Sequence, residues 1–326
     1  MFRLWKVIRA RHLLGAAGGS AIAYSAWNTP PVPPSLAEPA TPVQSTIRWA
    51  ARALPHRATS RMYGLMAGWH IPEFLRSPIF GAWAFFFNAD LDEARYPPRA
   101  YTTLNDFFTR PLKDGIRPID AVADVVSPAD GLVTICGQVS PHGRLDQIKD
   151  SSYALDGFLG CAPEPGPGSS LYYCVVYLAP GDYHRFHSPS RWHICERMHI
   201  AGDLLSVAPA LVRRVPGLFT MNERVSLIGQ WAHGFYSLTA VGAFNVGSIR
   251  INMDDDLVTN LHGSQVGMPP LRRPFMHLSE RGDELGRFML GSTLVVVWEA
   301  PDKQFEFTVQ PGQVVRVGQS IGSVTL

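Results

Sequence analysis

From residue 125 onward, apolar side chains come in short runs of Val, Ile, Leu and Tyr, broken every few positions by Gly, Pro or Asp. The runs at 131–136, 170–178, 233–241, 248–253, 294–298 and 304–309 are short and rich in β-branched residues, so each predicts a strand. Close turn punctuation between them predicts a mostly antiparallel body. The stretch 309–322 sets glycines after alternating apolar residues, as at the tight corners of a small barrel or sandwich, and 127–133 reads as a second such corner. Between 43 and 94 the spacing is helical, carried by Trp49, Leu54, Met62, Leu65, Met66 and Trp69 and then by a crowd of aromatics up to Phe87. The fold class expected is α+β, mostly β: an antiparallel barrel- or sandwich-like body preceded by helices.

Arg48, Arg52, Arg57, Arg61 and Arg76 are interleaved with those aromatics, a composition suited to helices lying in a membrane interface with cations near lipid phosphates. Packing of the same apolar surface onto the following domain is the competing reading. Upstream, residues 1–72 hold eight Arg or Lys and one acid, Glu38, although the whole chain is nearly balanced, with 29 basic and 27 acidic residues. A basic, acid-poor start resembles a mitochondrial transit segment. Residues 13–27 are uncharged but fall short of the ~20 needed for a bilayer span, so a short anchor and a cleaved presequence are both open. Pro30, Pro31, Pro33, Pro34, Pro39 and Pro42 predict an extended linker. The expected organisation is therefore a targeting or anchor segment at 1–29, a linker at 30–44 and one domain at 45–326, with interfacial helices at 45–95.

A net charge of +2 offers no field for nucleic acid, and 46% hydrophobic residues exclude a disordered chain. Cys136, Cys161, Cys174 and Cys195 have no CxxC spacing, so they read as buried or incidental thiols. His184, His187, His193 and His199 cluster within sixteen positions, yet no second ligand group accompanies them, and no metal is expected. A general base among them suits imidazole chemistry near neutrality. Asp130 precedes Gly131, which alone would mark a turn. Ser292, in Leu290-Gly-Ser-Thr, lacks the Gly-x-Ser-x-Gly elbow of α/β-hydrolases.

Six blocks in order change this picture: Phe107-Phe-Thr-Arg-Pro-Leu-Lys, Ser127-Pro-Ala-Asp-Gly, Tyr183-His-Arg-Phe-His-Ser-Pro, Leu218-Phe-Thr-Met-Asn-Glu-Arg-Val, Val241-Gly-Ala-Phe-Asn-Val-Gly-Ser-Ile and Glu284-Leu-Gly-Arg-Phe-Met-Leu-Gly-Ser-Thr. Together they resemble the phosphatidylserine decarboxylase family, in its mitochondrial and bacterial proenzyme branch, over residues 45–326. The resemblance implies a proenzyme that cleaves its own Gly291–Ser292 bond, leaving chains 1–291 and 292–326 held together noncovalently. Ser292 would attack the carbonyl of Gly291, with His187 as base and Asp130 as the orienting carboxylate. β-Elimination of the resulting ester and hydrolysis of dehydroalanine would then release ammonia and leave a pyruvoyl group in place of Ser292.

By the same resemblance, the substrate amine condenses with that covalent pyruvoyl cofactor as an imine, carbon dioxide leaves, and His184 is the candidate proton donor or a neighbour that positions His187. The implied reaction converts phosphatidylserine to phosphatidylethanolamine at a membrane surface. Phe219, Asn222 and Glu223 fall in a block implied to contribute to the substrate pocket. The implied location is the mitochondrial inner membrane, with a bacterial plasma membrane as the alternative, and a homodimer is left open. Two rival readings use the same residues differently: a lipid serine hydrolase built on Ser292, His187 and Asp130, and a non-catalytic barrel-sandwich binding module.

Overall fold

The computed structural model describes residues 56–140, 143–146, 152–212, 215, 217–243, 248–260, 267–289 and 292–325. The expected leader, linker and Gly291 lie outside these. Helices α1 (His56–Ala67) and α2 (Glu73–Phe87) come first, then a 3-10 turn (Pro98–Ala100) and α3 (Leu104–Phe108). The body follows as β1 (Val125–Val126), β2 (Gly131–Gln138), β3 (Arg144–Asp146), β4 (Ser152–Ala154), α4 (Leu155–Leu159), β5 (Ser169–Leu178), β6 (Arg185–His187) and β7 (Trp192–Ile200). It continues with α5 (Pro209–Val212), α6 (Leu218–Met221), β8 (Arg224–Trp231), β9 (Gly234–Gly242), β10 (Ile249–Ile251) and β11 (Leu271–Ser279). The chain ends with β12 (Glu284–Phe288), β13 (Ser292–Pro301), β14 (Phe305–Phe307), β15 (Val314–Val315) and β16 (Ser320–Val324).

Eight strands form one antiparallel sheet in the order β11-β7-β8-β9-β13-β5-β2-β15. Its two edges do not join, so of the two expected forms the body is sandwich-like and not a closed barrel. Strand alternation splits the apolar side chains between two cores. Leu294, Val296 and Trp298 pack on one face with Cys174 and Val176, while Val295 and Val297 pack on the other with Tyr173 and Val175. The first face is closed by the small sheets β1-β16-β14 and β10-β12-β6, and the second by residues of α4 to α6. A strand buried on both faces needs no polar alternation, which is why 294–298 reads as an unbroken apolar run.

β13 lies in the middle of the large sheet, paired along most of its length with β9 and β5. The two glycine-bearing corners also meet, since Ser127 N donates to Gln319 O and Gly318 N donates to Ser127 O, and β2 and β15 pair beside them. At the amino end, Thr103 and Asp106 form a capping box that starts α3. Phe80 of α2 stacks on Phe107 of α3 at 4.4 Å between ring centroids. The opposite side of α1 and α2 leaves Met62, Leu65, Trp69, Phe74, Phe85 and Phe86 more than half exposed.

Candidate active site

Ser292 is the first residue of β13, opposite Leu178 on one side and Gly242 on the other. Its side chain is fully buried, and its Oγ has no hydrogen-bond partner among the described residues. A buried hydroxyl without a partner is costly, and a reacting group is one of the few reasons to keep one. The ladder begins at Ser292 itself, so the residue is fixed by pairing on both sides.

Three other segments converge near this strand end. β12 runs toward Ser292 and pairs with β6, and Phe288 N donates to His184 O at 2.9 Å. His187 N donates to Pro128 O at 2.8 Å, bringing the His-rich segment onto the Ser127–Gly131 corner. That corner requires Gly131, because a Cβ there would lie 2.3 Å from the carbonyl oxygen of Tyr177. The Asp-Gly pair is thus a close backbone approach at the start of β2, not only a turn.

The two histidines are held as opposite halves of one arrangement. His184 is fully buried, its ring 4.0 Å from that of Phe108, and Nδ1 lies 2.8 Å from Asp182 O. A carbonyl can only accept, so Nδ1 carries the proton and Nε2 presents a lone pair, which has no partner among the described residues. Burial pushes the pKa of His184 down to about 3, leaving it neutral. His187 directs Nδ1 to Gly282 O at 2.8 Å and Nε2 to the Tyr183 hydroxyl at 3.0 Å. The same logic makes Nε2 of His187 the basic atom. Burial lowers its pKa, opposed by the Gly282 bond and by the charges of Glu284 and Asp130.

Asp130 does not touch the ring of His187 through a hydrogen bond. Its carboxylate accepts from Arg117 Nε at 3.0 and 3.1 Å, from Arg117 Nη2 at 2.5 Å and from Val317 N at 2.9 Å. Arg117 Nη2 also meets Glu93 Oε2 at 2.5 Å, and Arg316 Nη1 meets Glu93 Oε1 at 2.8 Å. Arg117 and Glu93 were not singled out in the sequence. Their only signal was position within charged loops flanking the Phe107 and Ser127 blocks.

Of the four clustered histidines, His193 is exposed on β7 and His199 is buried against Glu223, 2.8 Å from Nε2 to Oε1. They do not join His184 and His187, and no group of three or more metal-ligating side chains occurs among the described residues. Asn222 is fully buried and spends its amide on Leu205 O and Gly242 O, bracing the residue opposite Ser292. Glu223 accepts from Asn260 N as well as facing His199, and Phe219 lies in the second core. The cysteines are free thiols, with Cys174 buried and Cys195 exposed.

A sequence model of the family described as phosphatidylserine decarboxylase matches residues 104–323. The chain is 39% identical over 309 residues to a mitochondrial phosphatidylserine decarboxylase proenzyme of Pongo abelii, covering 84% of this chain and 73% of that one. It is 36% identical over 355 residues to the mitochondrial proenzyme 1 of Schizosaccharomyces pombe, covering 83% and 81%. It is 34% identical over 342 residues to the corresponding protein of Oryza sativa, covering 84% and 78%.

Proposed function

This chain belongs to the phosphatidylserine decarboxylase family, and from that premise we propose that it decarboxylates phosphatidylserine to phosphatidylethanolamine through a pyruvoyl group made from its own Ser292. The relatives carry mitochondrial names, which matches the basic, acid-poor start of this chain and places it in the mitochondrion. The observation that carries the mechanism is the buried Oγ of Ser292, without a partner among the described residues, at the head of a doubly paired central strand. That position suits a group formed in place and kept out of water. A pyruvoyl carbonyl supplies the electron sink that loss of carbon dioxide from an α-amino acid requires.

The chain's own residues do the rest. In self-cleavage the Oγ proton of Ser292 passes to His187 Nε2, whose tautomer is set by Gly282 O. Tyr183, now bonded to that nitrogen, gives it up when the serine engages. Asp130 acts on His187 through charge, favouring the protonated ring, while Arg117 and Val317 N hold its carboxylate still. In the mature enzyme His184 Nε2, whose lone pair has no partner among the described residues, is the atom through which a proton is relayed. After cleavage, 292–326 stays in place because β13 is paired on both sides and β15 and β16 pair with β2 and β1.

The exposed apolar side of α1 and α2 supports docking on a bilayer, so that the serine headgroup reaches Ser292 while the acyl chains remain in lipid. Among the described residues no helix is long and apolar enough to cross a membrane. Intact mass and Edman sequencing of the purified protein test the proposal. Release of the last 35 residues, blocked to Edman degradation and lighter than a serine-started peptide, supports it. A single uncleaved chain that reacts with fluorophosphonate at Ser292 would instead establish the hydrolase, and an uncleaved inert chain the binding module.

A further inference from the structure

The segment 107–110 packs on the loop that carries His184, and it leaves an unusual debt of hydrogen bonds there. Arg110 is 3% exposed, yet of its guanidinium nitrogens only Nη2 has an acceptor, Gly181 O at 2.9 Å. Nε and Nη1 are buried without partners among the described residues, and so is the hydroxyl of Tyr101. The cation lies over the Phe107 ring at 5.5 Å, and the ring of Phe108 beside it lies 4.0 Å from that of His184, tilted by 45°. Arg110 forms no ion pair among the described residues, although the charges of Asp130, Asp182 and Glu93 act on it. A buried cation with unmet donors is destabilising on its own, so the site is built for an acceptor that arrives later.

We propose that Arg110 binds the phosphodiester of the substrate headgroup, with the Tyr101 hydroxyl as a second donor. This rests on the decarboxylase reading of the same site. The headgroup offers two anions, and the chemistry distinguishes them. A cation clamped on the carboxylate would lose its partner as carbon dioxide leaves, stabilising the ground state over the transition state and slowing the reaction. The phosphodiester keeps its charge throughout, so binding it lowers KM without raising the barrier.

The test uses the full-length, self-processed protein as wild type, R110Q and R110K, assayed on phosphatidylserine in mixed micelles. Glycerophosphoserine and glycerophosphoethanolamine serve as soluble inhibitors. Both carry the phosphodiester, and only the first carries the carboxylate. The expected result for R110Q is a rise of roughly tenfold or more in KM and in both inhibition constants, with kcat within about twofold of wild type. R110K keeps the charge with fewer donors and shows a smaller rise of the same pattern. Weakening of glycerophosphoserine alone would assign Arg110 to the carboxylate and overturn the proposal. So would unchanged constants, or a fall in kcat at constant KM. If R110Q does not release the 35-residue chain, R110K decides. If neither variant is processed, Arg110 serves folding or self-cleavage and the proposal fails. A wild-type protein that is processed but leaves phosphatidylserine untouched would fail the decarboxylase reading itself, whatever Arg110 does.

Discussion

Replacing Arg117 by Met removes the one guanidinium that bridges Glu93 and Asp130. The three side chains are 9%, 16% and 11% exposed, so water cannot fully take its place. Breaking a buried pair by removing one partner costs about 3–5 kcal/mol. Here Asp130 keeps Val317 N and Glu93 keeps Arg316, so the lower end, about 3 kcal/mol, is expected. For a domain running from 45 to 326 that lowers Tm by about 5 °C. The measurement is urea or thermal unfolding on a Ser292→Ala background, where every variant is one uncleaved chain. Adding Glu93→Gln to Arg117→Met removes a charge that has lost its buried partner and keeps only the exposed Arg316, so the double variant should lose less than the sum of the singles, with coupling of about 1–3 kcal/mol. The loss should persist in 0.5 M salt, because the pair is shielded from ions. Arg95→Ala, which breaks an exposed pair with Asp114, should cost under about 1 kcal/mol. On the native Ser292 background, freeing the Asp130 carboxylate should slow release of 292–326 roughly tenfold to a hundredfold. A loss below 1 kcal/mol for Arg117→Met, or no coupling to Glu93, would refute the reasoning.

Two further outcomes follow from the same structure. Burial raises the Asp182 pKa to about 6 from 3.8, so its ionisation opposes folding at neutral pH, and that cost fades as pH falls through 6. His184, held near 3 against 6.5, works in reverse: its contribution is complete above 6.5 and is lost as pH falls toward 3. Asp182→Asn on the Ser292→Ala background should therefore be more stable than its parent at pH 7.5, by up to about 3 kcal/mol, with the gain almost gone at pH 4. Equal urea midpoint shifts at both pH values would contradict the assignment. Substituting Asp for both Phe85 and Phe86, which are 66% and 63% exposed, should leave the unfolding midpoint nearly unchanged. The same variant should weaken flotation with anionic vesicles by a hundredfold or more, at about 2 kcal/mol for each buried Phe, and undiminished flotation would rule out docking through α2.

Much of this protein is determined locally and is legible without coordinates. The apolar runs at 131–136, 170–178 and 233–241 became β2, β5 and β9 almost residue for residue, because period and β-branching are properties of neighbouring positions. The six ordered blocks carried the family, which the comparisons with known proteins bear out. Tertiary structure alone decided what lies beside what. That β13 is an inner strand of the eight depends on pairings between residues fifty or more positions apart, and burial on both faces erases the alternation that would have shown its sides. The partners of Asp130 are likewise non-local: Arg117 and Val317 reach its carboxylate, while Gly282 O takes the His187 nitrogen that a simple triad would assign to it. The unmet donors of Arg110 were invisible for the same reason. A hydrogen-bond deficit exists only once the chain has folded around it and shut water out.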